Sequence, residues 1–305
     1  MLPNLKAQSK WSWLIAAYLF LAGLGGGAYV TGVVADFLGE GWGAIAKIGV
    51  CLAFPCVAAG CVFLIFDLGS PANFWRAAMR PNTSWIARGT IIITIFMIVD
   101  VIHIALWLWP VGNLAESDGA RHCLGSIGVI FALCTMIYTG ILLGAARPIA
   151  FWSTAMLPLL FLVSALSTGI MAVILLASFG GTSQLGPIHD LARFDILLII
   201  LEIFVLLFYL QGTHRVPESR ASAQFVLAGS VAPLFWWGVA ALGLIVPLLL
   251  ELISRSAEGG WAVTLALLAS ACGIAGGLFL RQVVLSGGVH APLRAGRFEI
   301  ALPIV

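Results

Sequence analysis

Residues 154–178 read TAMLPLLFLVSALSTGIMAVILLAS, twenty-five consecutive positions without a formal charge. The hydrocarbon core of a bilayer is about 30 Å thick and a helix rises about 1.5 Å per residue, so such a run crosses it in helical form. Outward from it, comparable runs cover residues 13–34, 44–66, 86–109, 123–144, 191–210, 225–250 and 261–281. The spacing predicts eight transmembrane helices. The runs are too continuous and too poor in alternation for a transmembrane barrel, and a helix satisfies its own backbone polar groups in lipid. Turn residues separate them, among them Gly39 and Gly43, Ser70-Pro71, Arg147-Pro148, Gly180-Gly181 and Gly259-Gly260.

Composition agrees with that reading. Of 305 residues, 61% are hydrophobic and 9% charged, and the mean hydropathy is +1.09, values outside the range of soluble domains. Eight spans leave no length for a folded domain outside the membrane, so water-side chemistry belongs to another subunit. A net charge of +2, scattered along the chain, argues against a nucleic-acid partner. Lys6 and Lys10 before the first run imitate a signal peptide, but no small-residue cleavage site follows, and the segment is expected to stay as the first span. The six cysteines contain no C-x-x-C and no iron–sulfur spacing. Cys51, Cys56 and Cys61 advance in steps of five, about 140° each, which scatters them around one helix as small core residues.

With eight spans both termini share a side. Lys6, Lys10, Arg76, Arg80, Arg88, Arg147, Arg215, Arg220, Arg281, Arg294 and Arg297 fall toward it, against Lys47, Arg121, Arg193 and Arg255 opposite, eleven to four. The positive-inside rule then places the termini in the cytoplasm. An internal echo accompanies the count. Leu19-Phe20-Leu21 precedes Gly23, Gly25, Gly26 and Gly27, and Leu160-Phe161-Leu162 precedes Ser164, Ser167, Thr168 and Gly169. Four spans apart, the two segments run in the same direction, which suggests two parallel four-helix bundles, residues 1–146 and 147–305, the second with a short C-terminal tail. Small residues at such spacing also serve ordinary close helix contact in membranes.

Ionisable groups in hydrocarbon are costly, so Asp67, Asp100, His103, Asp195, Glu202 and Glu251 require a reason to be there. Asp100 and His103 are three apart and share a face, where they can pair or pass a proton. Asp195 and Glu202 are seven apart, about 20° from eclipsed, and form a second polar stripe. Each stripe is a candidate proton path; the structural alternative ties each group to a neighbouring helix, with Arg193 and Arg281 as partners. A membrane haem held by two imidazoles needs two intramembrane histidines, and only His103 lies well within a span. Zinc and di-iron sites fail on the same ground, so no haem, cluster or metal is expected in this chain. Tyr18, early in the first span, and Tyr138, late in the fourth, come to similar shallow depth near the N-terminal side. A phenol in an apolar pocket donates a hydrogen bond to a quinone carbonyl or accepts one from a quinol, while a lone tyrosine at that depth also serves as an interfacial anchor.

The strings Trp11-Ser12-Trp13-Leu14-Ile15-Ala16-Ala17-Tyr18-Leu19-Phe20-Leu21-Ala22-Gly23, Asp67-Leu68-Gly69-Ser70-Pro71, Pro81-Asn82-Thr83-Ser84-Trp85, Tyr138-Thr139-Gly140 and Gly243-Leu244-Ile245-Val246-Pro247, in this order, resemble the NrfD and polysulfide-reductase membrane-subunit family nearly end to end. The resemblance implies a quinone-reactive anchor, using menaquinone or ubiquinone, in a bacterial or archaeal cytoplasmic membrane. It implies a ferredoxin-like partner with [4Fe–4S] clusters and a molybdenum or tungsten pterin catalytic subunit. In the polysulfide-reductase branch the quinone head lies near polar groups of the first span and a tyrosine of the fourth, which here is similar to Tyr138. The first-span histidine of that branch corresponds to Tyr18, and a nearby asparagine to Ile15. On this basis Tyr18, Tyr138, Arg80 and Ser84 are expected to hold the quinone and Asp67 to accept its protons. The partner is expected on loops around 70–85 and 145–153, with Arg76, Arg80 and Arg88 meeting its acidic surface or steadying Asp67. Many relatives present their partners outside the cytoplasm, in conflict with the charge count, which is retained. Two competing readings are a proton- or ion-coupled transporter built on Asp100, His103, Asp195 and Glu202, and a purely structural anchor.

Overall fold

The computed structural model describes residues 13–67, 82, 84–108, 118–145, 149–213, 217–257, 259–289, 293–295 and 298–300. Among them run helices α1 (Trp13–Leu38), α2 (Gly43–Asp67), α3 (Trp85–Leu108), α4 (Asp118–Gly144), α5 (Met156–Ser178), α6 (Leu185–Gly212), α7 (Pro217–Ala228), α8 (Leu234–Ser254) and α9 (Gly259–Ser286). A short antiparallel hairpin of β1 (Leu293–Ala295) and β2 (Phe298–Ile300) follows. Seven of the described helices, all but α6 and α7, are long and apolar enough to cross a membrane. Helix α6 has 28 residues and carries Asp190, Arg193, Asp195 and Glu202.

One expected boundary moves. The apolar run 225–250 is divided: α7 ends at Ala228, the chain turns, and α8 starts at Leu234. Gly229 donates its N–H to the Phe225 carbonyl, and Pro233, at φ −60°, caps α8. Residues Leu234–Ile245 of α8 wind as a π-helix, a wider coil found mostly as single turns at functional sites. It gives way to α-helix just before Pro247, which has no N–H for an i→i−4 bond.

Helix directions follow from glycine contacts. Gly25 of α1 meets Ala53 and Val57, and Gly32 meets Ala46 and Val50, so α1 and α2 are antiparallel. Gly23 meets Ala165 and Gly27 meets Gly169, so α1 and α5 run parallel. A Cβ on Gly27 or Gly169 would strike the backbone of the other helix, the close approach that small residues permit in lipid. Helix α4 lies antiparallel on α1, through Gly26 against Met136 and Gly128 against Tyr29, and α9 antiparallel on α5, through Gly277 against Thr168 and Gly273 against Met171. Helices α1 and α5 are buried on most of their circumference, which marks them as the centre. Gly39 and Gly41, at φ 81° and 89°, make the tight α1–α2 turn.

Segment 149–155 fills the gap between helix ends on the side where α1 begins. Ile149, Phe151 and Trp152 are buried; Trp152 Nε1 donates to the Val284 carbonyl and the Tyr209 hydroxyl to the Phe151 carbonyl, each at 2.8 Å. Large exposed apolar side chains such as Phe194, Leu197, Phe204 and Phe208 line an outer face of α6, as a lipid-facing surface requires. Exposed aromatics gather at both ends, Trp13, Phe66, Trp85 and Trp237 at one and Phe37, Phe179 and Trp261 at the other, in the manner of interfacial belts.

Candidate functional site

Tyr18 lies one and a half turns into α1 with no exposed surface, and its hydroxyl has no hydrogen-bond partner. Tyr138 of α4, also buried, is its neighbour, close enough for the two phenols to interact. Two glycines make the arrangement. The Tyr138 ring lies on Gly89 of α3, where a Cβ would overlap it, and Gly60 of α2 lets the Tyr18 backbone approach, a Cβ there standing 3.3 Å from the Tyr18 carbonyl oxygen. Ile15, one turn earlier, and Cys61 border Tyr18. The two tyrosines expected at one depth are therefore together.

Other residues assigned to this pocket stand farther out. Asp67, half-buried at the end of α2, lies two turns past Gly60, about 10 Å along the axis. Ser84 accepts the Ala87 N–H at 3.4 Å and so caps α3. Arg88 Nη2 donates to the Asn82 carbonyl at 3.0 Å, and its guanidinium covers the Trp85 ring at 4.6 Å. Arg76 and Arg80 lie outside the described residues, as does most of the 70–85 loop. In the second expected docking loop, Ile149, Phe151 and Trp152 point inward, leaving Ser153 exposed.

Asp100 and His103 of α3 are fully buried. Instead of pairing with Asp100, His103 places Nδ1 2.8 Å from the Tyr29 hydroxyl of α1, while both Asp100 oxygens are without a hydrogen bond. Tyr29 lies over Gly128 and meets Phe96 edge-on at 5.2 Å. Toward the end opposite Tyr18, Asp36 accepts from Arg121 Nε at 2.9 Å and has His122 Nε2 at 3.7 Å. Sequence reasoning missed Tyr29, Asp36, Arg121 and His122. A signal for Tyr29 existed: it follows Tyr18 by eleven positions, three helical turns, and so repeats its face.

The second polar stripe is also buried and gains members. Asp195 is fully buried, as are Glu251 of α8 and Arg281 of α9 at 1% exposure. Arg281 Nη1 donates to Ser164 Oγ at 2.5 Å and to the Gly277 carbonyl at 3.1 Å, and Nη2 donates to the Phe161 carbonyl at 3.3 Å. Glu202 lies beside Ser164 and within range of the Arg281 charge. Asp195 faces Ser167 and the Glu251 carboxyl. Arg193, the other expected partner, points outward to Asp190 at 2.9 Å. A cavity of about 10 Å³ touches Ser164, Ser167, Thr168 and Glu202 on one side and the π-helical turn of α8 on the other. Among the described residues no three His, Cys, Asp or Glu side chains gather at metal-binding separation.

The family model described as polysulphide reductase, NrfD, matches residues 1–292. The chain belongs to the NrfD family. It is 32% identical to the polysulfide reductase C polypeptide of Wolinella succinogenes, over 79% of this chain and 82% of that one. It is 29% identical to protein NrfD of Escherichia coli, over 91% and 94%, and 25% identical to the selenate reductase C polypeptide of Mesobacillus selenatarsenatis, over 82% and 68%. In this NrfD-family protein the Tyr18–Tyr138 pair, the Tyr29–His103 pair and the Arg281–Glu202–Asp195–Glu251 cluster are buried polar groupings within an otherwise apolar, multi-pass helical assembly.

Proposed function

We propose that this chain is the quinone-reactive membrane subunit of a multi-subunit oxidoreductase. The observation that carries the reading is the Tyr18 hydroxyl, fully buried, unpartnered, and beside a second phenol. A buried hydroxyl left unpaired costs about 1–3 kcal/mol, and a quinone carbonyl is an acceptor that would remove the cost. A bound quinol supplies two electrons and two protons. Tyr18 holds the ring from α1, Tyr138 orients it from α4, and Ile15 gives apolar surface. Because Tyr18 has no exposed surface, the site opens by parting helix ends near the aromatic rim of Trp13 and Trp85. Asp67 receives protons near the end of α2, Ser84 adds a polar group at the start of α3, and Arg80 is a further quinone contact in this reading. Asp100 and His103, with Tyr29, exchange protons toward the opposite side.

The scaffold in this reading is eight spans in two parallel bundles, residues 1–146 with the quinone and residues 147–305 beside them. The parallel α1–α5 contact supports it, and so does α6, which turns Asp195 and Glu202 inward and Phe204 outward. Relatives named as components of polysulfide and selenate reductases support a partnered role. Electrons pass to or from a ferredoxin-like [4Fe–4S] subunit on the side where α1 begins, and beyond it a molybdenum or tungsten pterin subunit; the charge count puts that side in the cytoplasm.

Tyr138→Phe in the assembled complex tests the reading. Quinol oxidation is expected to fall tenfold or more with the yield of complex unchanged. An unchanged rate would make this chain a structural anchor.

A further inference from the structure

We propose that Asp36, Arg121 and His122 form a latch that joins the ends of α1, α3 and α4 on the side opposite Tyr18, and that it tightens when the water on that side turns acidic. Asp36 and Phe37 stand in the last turn of α1, Trp107 beside the last residue of α3, and Arg121 and His122 near the start of α4. A carboxylate at a helix C-terminus and a basic pair near a helix N-terminus each oppose the helix dipole. They are placed for one another. Asp36, its side chain 4% exposed, accepts from Arg121 Nε at 3.1 Å through Oδ1 and at 2.9 Å through Oδ2. The Arg121 guanidinium covers the Trp107 ring at 4.5 Å, which ties in α3.

His122 is the member of the latch whose charge changes near neutral pH. Its Nε2 has no hydrogen-bond partner and stands 3.7 Å from Asp36 Oδ2, too long for a hydrogen bond and within range of an ion pair. Phe37 stacks on the imidazole, with centroids 4.3 Å apart and planes at 22°. Among the described residues, the charged and titratable groups around His122 are Asp36 of α1, Arg121 of its own helix and His103 of α3. As pH falls through the ordinary imidazole range, about 6 to 7, a proton on Nε2 gives Asp36 a second cation and gives the Phe37 face a cation to attract. Arg121 repels that cation, but the carboxylate lies against both. The union is therefore stronger in acid and weaker in base, where the Arg121–Asp36 pair holds it alone.

What the latch covers gives it a consequence. Gly125, one turn on from Arg121, has its Cβ position 3.1 Å from Val33 and 3.3 Å from the His103 ring, so His103 lies in the layer directly beneath. His103 Nε2 and Trp107 Nε1 are buried without hydrogen-bond partners. Water admitted between the three helix ends would satisfy both, and a buried polar group gains from such a partner. The closed latch thus keeps this end of the first four helices dry, and loosening it in base lets water in. The latch stands on the geometry of α1, α3 and α4 and does not depend on the quinone reading.

Hydrogen–deuterium exchange of the full chain in lipid nanodiscs, read by mass spectrometry on peptides covering 101–108 and 118–126, tests the latch. Comparing His122→Gln with the parent at one pH removes the intrinsic pH dependence of exchange. At pH 6 the variant is expected to exchange at least threefold faster than the parent in both peptides, and at pH 8 the two are expected to match. A variant that matches the parent at both pH values, or departs from it equally at both, overturns the latch. In an Asp36→Asn background the His122→Gln change should no longer matter at pH 6; a threefold effect that persists there overturns the pairing and the latch with it. Where that background yields no folded protein, His122→Lys, charged at both pH values, takes its place. Slower exchange than the parent at pH 8 supports the latch, and exchange no slower than the parent overturns it.

Discussion

At the scale of single residues, the absence of a Cβ does as much positioning as any side chain. Tyr138 lies where it does because Gly89 has none. Gly89→Ala forces the ring off α3, with an expected stability loss of about 1–3 kcal/mol from overpacking and at least a fivefold weaker quinone affinity, read by thermal unfolding in detergent and by quinone titration. Gly119→Ala, with open space at its Cβ position, is the control and should change neither. Arg281 offers a second case. Arg281→Met leaves Glu202 in apolar surroundings without a nearby positive charge and should cost about 3–5 kcal/mol. Adding Glu202→Gln should restore part of that loss, and a double-mutant cycle of melting temperatures measures it. Strict additivity would mean the two groups do not interact.

At the scale of elements, the parallel α1–α5 contact and the 149–155 segment hold the helices in place. Gly27 and Gly169 meet backbone to backbone, so Gly169→Leu must push α5 away from α1. The expected result is loss of folded protein from detergent extracts, seen by size-exclusion chromatography, whereas Gly186→Leu, with open space at its Cβ position, should elute like the parent. Trp152 fills the space above Gly288 and is pinned to Val284. Trp152→Ala removes that ring and should destabilise the fold by about 3–5 kcal/mol, with faster proteolysis near residue 150 as the accompanying sign. Element boundaries were readable in the sequence where an apolar run stands alone, as at 44–66, and misleading at 225–250. There α7, an amphipathic piece, abuts α8 with only Gly229 and Pro233 to mark the break.

At the scale of the whole molecule, the prediction concerns direction. By the positive-inside rule, eleven Lys and Arg against four predict that the side where α1 begins faces the cytoplasm, so a C-terminal green fluorescent fusion should fluoresce and an alkaline phosphatase fusion should be inactive; the reverse outcome would put the proposed quinone site's mouth on the outer side. The sequence by itself determined that this protein lives in lipid as long helices, because run length and charge scarcity are local properties that need no partner. It also brought out Asp67, Asp100, His103, Asp195, Glu202 and Glu251 as groups out of place in hydrocarbon, and Tyr18 and Tyr138 as phenols at similar depth. Which of them meet was decided only by the tertiary structure. His103 takes Tyr29, 74 positions away, instead of its helix neighbour Asp100, and Arg281 takes Ser164, 117 positions away. Spacing along one helix sets a face, but the residue opposite that face comes from whichever helix the small residues allow closest, and that choice is made by contact between distant segments.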